Sequence, residues 1–156
     1  MIKISLPSLK SALLFLAVAS LVLLTIQLEA WPLLVFTLYA STAAYVYTFF
    51  IGNFGRGEQV YYYTALMLIC IVSYAAIYST VGIIDSATNE VISDFTDLCY
   101  FSVVTWTTLG YGDFRPTPEA RIYAASQAVL GYAYIGIFIA KLFYWLSKAS
   151  PTIPNK

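Results

Sequence analysis

The sequence predicts an all-α integral membrane protein: four transmembrane helices, a re-entrant helix between the third and fourth, and an extended loop following that short helix. Three observations predict this. The chain is 60% apolar and only 10% charged, where a soluble domain carries about a quarter charged residues. Four long apolar windows alternate with short polar stretches. Between the last two windows lies an apolar stretch too short to cross a bilayer, followed by a glycine-containing loop. With a mean hydropathy of +0.77, the chain has more apolar surface than a water-soluble globule of its length hides.

The first three windows cover residues 11–28, 32–51 and 60–82. Each is long enough to cross about 30 Å of hydrocarbon. Lys3 and Lys10 ahead of the first window give it the outline of a signal peptide. No small-x-small cleavage site follows and the apolar run is long, so we read it as a retained helix. The piece Gly52-Asn53-Phe54-Gly55-Arg56-Gly57 follows no strand and lacks the Gly-Lys-Ser/Thr ending of a phosphate loop. It reads as a flexible cytoplasmic connector. Residues 1–59 therefore hold two N-terminal transmembrane helices and this connector.

Residues 60–148 form the second unit, with an outer helix at 60–82, a short helix at 94–107, a loop at 108–112 and an inner helix at 119–147. Ser93 or Asp94 can cap the short helix, and Asp94 and Asp97 place negative charge where its macrodipole is positive. Thr117 suits the N-cap and Pro118 the first position of the inner helix. At about 1.5 Å per residue that helix is roughly 43 Å long, so it tilts or projects beyond the bilayer. Residues 149–156 are expected to be a short cytoplasmic tail.

The charges orient this arrangement. With both termini inside, the cytoplasmic side receives Lys3, Lys10, Arg56, Lys141, Lys148 and Lys156, and the outer side only Arg115 and Arg121. That asymmetry follows the positive-inside rule for a multi-pass protein of the cell membrane. Glu58 alone among the acids lies inside; Glu29, Asp85, Glu90, Asp94, Asp97, Asp113 and Glu119 lie outside, where they concentrate cations. Trp31 on one side, and Tyr61–Tyr63 with Tyr144–Trp145 on the other, fit interfacial aromatic belts.

Histidine is absent, which removes imidazole bases, His-ligated metals and His-based pH switches. Cys70 and Cys99 lie far apart without metal-ligand spacing and read as small hydrophobes inside helices. No nucleophile–base pair suggests an enzyme, nothing suggests a nucleic-acid partner, and no cofactor is implied.

The loop reads Thr108-Leu109-Gly110-Tyr111-Gly112-Asp113. A dehydrated cation needs oxygens in place of its lost water, and consecutive backbone carbonyls supply them if all point one way. An ordinary strand alternates its carbonyls, so turning them to one side needs left-handed residues at intervals. Glycine adopts that conformation freely, whereas other L-residues pay about 1–2 kcal/mol each. Gly110 and Gly112 stand at alternate positions for this reason. The carbonyls of Thr108, Leu109, Gly110 and Tyr111, with the Thr108 hydroxyl, then stack as rings of oxygen. Leu109 and Tyr111 turn their side chains into the surrounding wall. One loop cannot encircle an ion, so three further identical subunits in a cyclic homotetramer are implied. Irregular backbone at membrane depth also requires enclosure by protein or water.

The short helix would aim its negative C-terminal end, near Thr107, toward a central cavity and favour a cation there. Tyr100 and Phe101 are placed to brace the loop, and a Tyr100 hydroxyl–Asp113 hydrogen bond is feasible.

The run from Ser102 to Pro116 resembles the pore of the potassium-channel pore-domain superfamily, of the small prokaryotic two-helix ion-channel type, and the likeness covers about residues 60–147. The resemblance implies a selectivity filter at Thr108, Leu109, Gly110, Tyr111 and Gly112, with K+ ions as permeant ligands at Thr108 to Tyr111. It further implies filter support from Thr107, Asp113, Tyr100 and Phe101. Two departures stand out: Leu109 replaces the commoner valine, and Tyr100-Phe101 the frequent tryptophan pair. Neither removes a coordinating oxygen. Gly131 is similar to the family's inner-helix gating hinge, with Gly136 as a rival and a packing glycine as the other reading. Tyr132, Ile135, Ile139 and Phe143 share one helix face. That face is either the wall of the cavity, with Ile135, Ile139 and Phe143 as a hydrophobic gate, or a packed stripe. Neither N-terminal window holds Lys or Arg, which argues against an arginine voltage sensor.

These readings converge on a K+-selective channel subunit conducting passively. A weakly selective cation channel and a subunit of a potassium-uptake transporter are the alternatives.

Overall fold

The computed structural model describes residues 9–51 and 56–149. Five helices occur among them, α1 (Leu9–Gln27), α2 (Trp31–Ile51), α3 (Arg56–Val81), α4 (Phe95–Trp106) and α5 (Arg121–Ala149), with strands β1 (Ile83–Asp85), β2 (Val91–Ile92) and β3 (Phe114–Pro116). Of the expected connector at 52–57, residues 52–55 lie outside the described residues, while Arg56 and Gly57 already belong to α3. Of the expected tail at 149–156, Ala149 ends α5 and the rest lies outside, as does Lys3.

Among the described residues, two helices, over Glu58–Val81 and Arg121–Ser147, are long and apolar enough to cross a membrane. These are α3 and α5. The α1–α2 hairpin turns sharply between them, with Glu29 left-handed at φ 50°, and packs α1 on α3 and α2 on both α3 and α5. Leu34 and Leu38 of α2 are fully buried in the same core as Tyr74, Ile77 and Tyr78 of α3 and Leu130 of α5.

The short helix α4 begins where its cap sits. Asp94 is extended and its carboxylate accepts from the Thr96 amide at 2.7 Å, with Asp97 in the first turn. Of the two candidate caps, Asp94 takes the position. At α5, Thr117 serves as the cap: its hydroxyl and its carbonyl both accept from the Ala120 amide, at 3.2 and 3.1 Å. Residues 118–120 form a turn, so regular α-helix begins at Arg121, two residues later than the sequence indicates. The Thr117 hydroxyl also donates to the Val81 carbonyl at 2.7 Å, fastening the C-terminal end of α3 to the N-terminal end of α5.

The all-α expectation needs a correction. A small antiparallel sheet of order β2-β1-β3 sits at the end of the bundle where α3 ends and α5 begins. Ile83 pairs with Ile92 and Pro116, and Ile84 with Val91 and Arg115. Asp85 builds the intervening turn by accepting from the amides of Ala87 and Thr88 at 2.6 and 3.2 Å, and Arg115 donates to Asn89 Oδ1 at 2.7 Å. Strands of two or three residues carry no readable alternation, so composition could not announce them. Their effect is positional: β3, the chain leaving the loop, is held against the end of α3.

Candidate ion-conduction site

The loop inherits its geometry from the way α4 stops. Thr107 is right-handed and Thr108 left-handed at φ 56°. The Leu109 amide donates to the Val104 carbonyl and the Thr108 amide to the Thr105 carbonyl, each at 3.1 Å. This crossed pair is a Schellman ending, in which the residue just past the helix adopts the left-handed conformation. Glycine usually fills that place; here Thr108 does. The Thr107 hydroxyl donates to the carbonyls of Val103 and Val104, at 2.8 and 3.2 Å, and seals the last turn.

From Thr108 the handedness alternates, with positive φ at Thr108, Gly110 and Gly112 (56°, 58° and 83°). Sequence reasoning found the two glycines and missed the threonine, because the helix end dictates the latter. Among the described residues, no backbone or side-chain donor bonds to the carbonyls of Thr108, Leu109, Gly110 or Tyr111. All four residues are exposed in the single chain, so these carbonyls are open to solvent or to a ligand. The Thr108 hydroxyl donates to the Thr107 carbonyl at 2.7 Å, so its lone pairs remain available to a ligand.

Leu109 and Tyr111 are 57% and 67% exposed, and the chain by itself builds no wall behind them. Tyr100 stands at the loop's far end. Its hydroxyl donates to Asp113 Oδ2 at 2.7 Å and its ring meets Phe114 edge-on at 5.7 Å. That hydrogen bond pushes the Tyr100 pKa up to about 12 and holds Asp113 below the usual carboxylate range. Asp113 is fastened further by its Phe114 amide contact at 3.0 Å and by its carbonyl, which accepts from the Ser86 amide at 2.8 Å. Phe101 points elsewhere, edge-on to Tyr78 of α3 at 5.0 Å. Neighbouring residues on a helix diverge by about 100°, so the two aromatics brace different partners.

Gly131 and Gly136 occupy unlike surroundings. A Cβ at Gly131 would collide with the Trp106 carbonyl at the end of α4, whereas at Gly136 it would meet open space. Gly131 is thus a close-approach residue, and α5 passes through both glycines as continuous helix. Tyr132, Ile135, Ile139 and Phe143 lie on a largely uncovered flank of α5.

This chain therefore presents a short helix aimed into the fold, a loop of unpaired carbonyls, and a long helix passing behind them. A family described as "Ion channel" matches residues 65–148, over half of the chain. The chain belongs to that family. Within it, potassium channels are the relatives found, which places it in the potassium-channel pore-domain superfamily. A hyperpolarization-activated voltage-gated potassium channel of Methanocaldococcus jannaschii is 34% identical over 87 residues, covering 56% of this chain and 37% of the relative. Two pore potassium channel a of Oryza sativa subsp. japonica is 32% identical over 83 residues, 52% of this chain and 23% of its own. Two-pore potassium channel 1 of Arabidopsis thaliana is 30% identical over 78 residues, 46% and 22%. The chain thus spans well under half the length of these curated relatives. No solved structure matches it.

As a member of the ion channel family, the chain has its matched region running from α3 through the loop to the end of α5. The α1–α2 hairpin lies outside that region. The sequence reading also passed over Ser102 and Gln127, which the fold buries side by side behind the loop. A usable signal existed: Gln127 is the sole amide side chain in α5, and polar residues within apolar spans usually find partners.

Proposed function

We propose that four copies of this chain form a cyclic homotetramer that conducts K+ selectively and passively across the cell membrane. Each subunit contributes four transmembrane helices, α1, α2, α3 and α5, with both termini cytoplasmic. The observation that carries this reading is the row of unpaired carbonyls at Thr108 to Tyr111 between alternating left-handed residues. Carbonyl dipoles in rings substitute for the hydration shell of K+. Exposure of Leu109 and Tyr111 supports assembly, because the wall that those side chains require must come from neighbouring subunits. The uncovered flank with Ile135, Ile139 and Phe143 then lines the cavity and narrows it as a hydrophobic gate.

Among the described residues no donor bonds to these four carbonyls, so an entering ion meets no competing hydrogen bond from them. The C-terminal ends of four α4 helices add roughly half a negative charge each toward the cavity. No cofactor enters this scheme; K+ is the cargo. The test is flux into vesicles holding the purified protein: K+ flux should far exceed Na+ flux, need no ATP or counter-ion, and be blocked by barium. Equal Na+ flux would reject selectivity, and a purified monomer would reject the filter.

A further inference from the structure

Behind the loop, one dipeptide of α5 is joined to α2, α3 and α4. The Ser126 carbonyl accepts from Tyr39 of α2 at 2.7 Å, and the Ser126 hydroxyl pairs with Tyr74 of α3 at 2.9 Å. Next to it, Gln127 Oε1 accepts from the Tyr78 hydroxyl of α3 at 2.6 Å. The Gln127 amide donates to the Ser102 carbonyl and hydroxyl of α4, at 3.1 and 2.7 Å. Ser102 passes its own proton back to the Ile71 carbonyl of α3 at 2.7 Å. Tyr74, Tyr78, Ser102 and Gln127 are buried to 2% exposure or less.

The Gln127 amide nitrogen has two acceptors on Ser102, and its oxygen has a donor. Such a satisfied network accepts one arrangement only, because any displacement strands a polar group in an apolar interior. One helical turn further, Gly131 lets α5 touch the Trp106 carbonyl. Contacts at 102–127 and 106–131 advance together, so α4 and α5 run side by side in fixed register. Filter geometry begins at the end of α4, two residues beyond Trp106.

We propose that the Ser126–Gln127 step of α5 is a positioning site for the filter, through which the α1–α2 hairpin is coupled to ion selection. Gln127 sets where α4 ends and so where the carbonyls of Thr108 to Tyr111 stand. Tyr39 extends that hold to α2. This rests on the channel reading above, and its failure is separable from failure of that reading.

The test compares wild-type channels with Y78F/Q127L and with Tyr39→Phe in vesicles, measuring the K+/Na+ permeability ratio and tetramer yield. Replacing both partners by apolar groups of similar shape is close to neutral for stability, so Y78F/Q127L should assemble. Its permeability ratio should nevertheless fall roughly tenfold, equivalent to about 1.4 kcal/mol. Tyr39→Phe, at the rim of the network, should lower the ratio about threefold. Ratios within about twofold of wild type in both variants would overturn the proposal, since a merely structural role leaves selectivity unmoved. If Y78F/Q127L fails to assemble, Tyr39→Phe decides alone. An unselective wild type overturns the channel reading and this inference with it.

Discussion

The Tyr100 hydroxyl donates to Asp113 Oδ2 at 2.7 Å, thirteen positions along the chain, and so spans the loop at 108–112. It joins the helix entering the loop to the chain leaving it. Both ends of the loop are thereby fixed to each other, while α5 and its polar junction pack behind α4. The sheet adds a second tether through β3.

Protonation governs that clamp, and the sign is determined by the two shifts. Asp113 is held below its ordinary value of 3.8, so its contribution is present above that value and lost as pH falls through the lowered one. Tyr100 is raised from 10.0 to about 12, so its contribution is complete below 10 and lost as pH rises through 12. Selectivity measured in vesicles should therefore be flat from about pH 5 to pH 9. Tyr100→Phe should reduce the K+/Na+ ratio severalfold at every pH in that window, without loss of tetramer. A step in selectivity near neutral pH would point to some other group.

Gly110→Ala and Gly112→Ala place a Cβ on left-handed residues at φ 58° and 83°. Nothing stands within 4 Å of either added Cβ in the single chain, so conformation rather than crowding causes the damage. Each costs about 1–2 kcal/mol of local strain. Membrane insertion should survive and K+ flux should vanish. Undiminished flux would contradict the carbonyl filter.

Gly131→Ala and Gly136→Ala should separate cleanly. The first drives a methyl group into the Trp106 carbonyl and must push α4 and α5 apart; lost tetramer yield or lost selectivity is expected. The second meets open space and removes a flexible residue from a helix, which favours the helix by about 0.5–1 kcal/mol. Retained assembly and retained K+ preference are expected for it. The measurements are size-exclusion profile and permeability ratio.

Asp94→Ala removes the acceptor that caps α4 through the Thr96 amide. The loss should be about 1 kcal/mol, the usual worth of an N-cap. Thermal unfolding in detergent should shift downward, and amide exchange should quicken in the first turn of α4 while α5 is unaffected. Asp94→Asn, which keeps the acceptor, should restore most of the stability.

Much of this protein was legible without coordinates. Its membrane character and helical content follow from apolar windows, and its superfamily from the run Thr108 to Asp113. The need for left-handed residues at Gly110 and Gly112 is also a sequence-level deduction, because it depends only on the chirality of the backbone. These properties are local, set by composition and by neighbours in the chain.

The Tyr100–Asp113 bond was also expected from the sequence, but the tertiary structure decided the other partners. Gln127 finds Ser102 twenty-five residues away, and Gly131 owes its missing side chain to Trp106. Thr108 turns left-handed because α4 ends in a Schellman motif there, and the strands at 83–85 and 114–116 exist because two chain ends are brought side by side. Side-chain partners of this kind are chosen by packing in three dimensions, where distance along the chain carries no information.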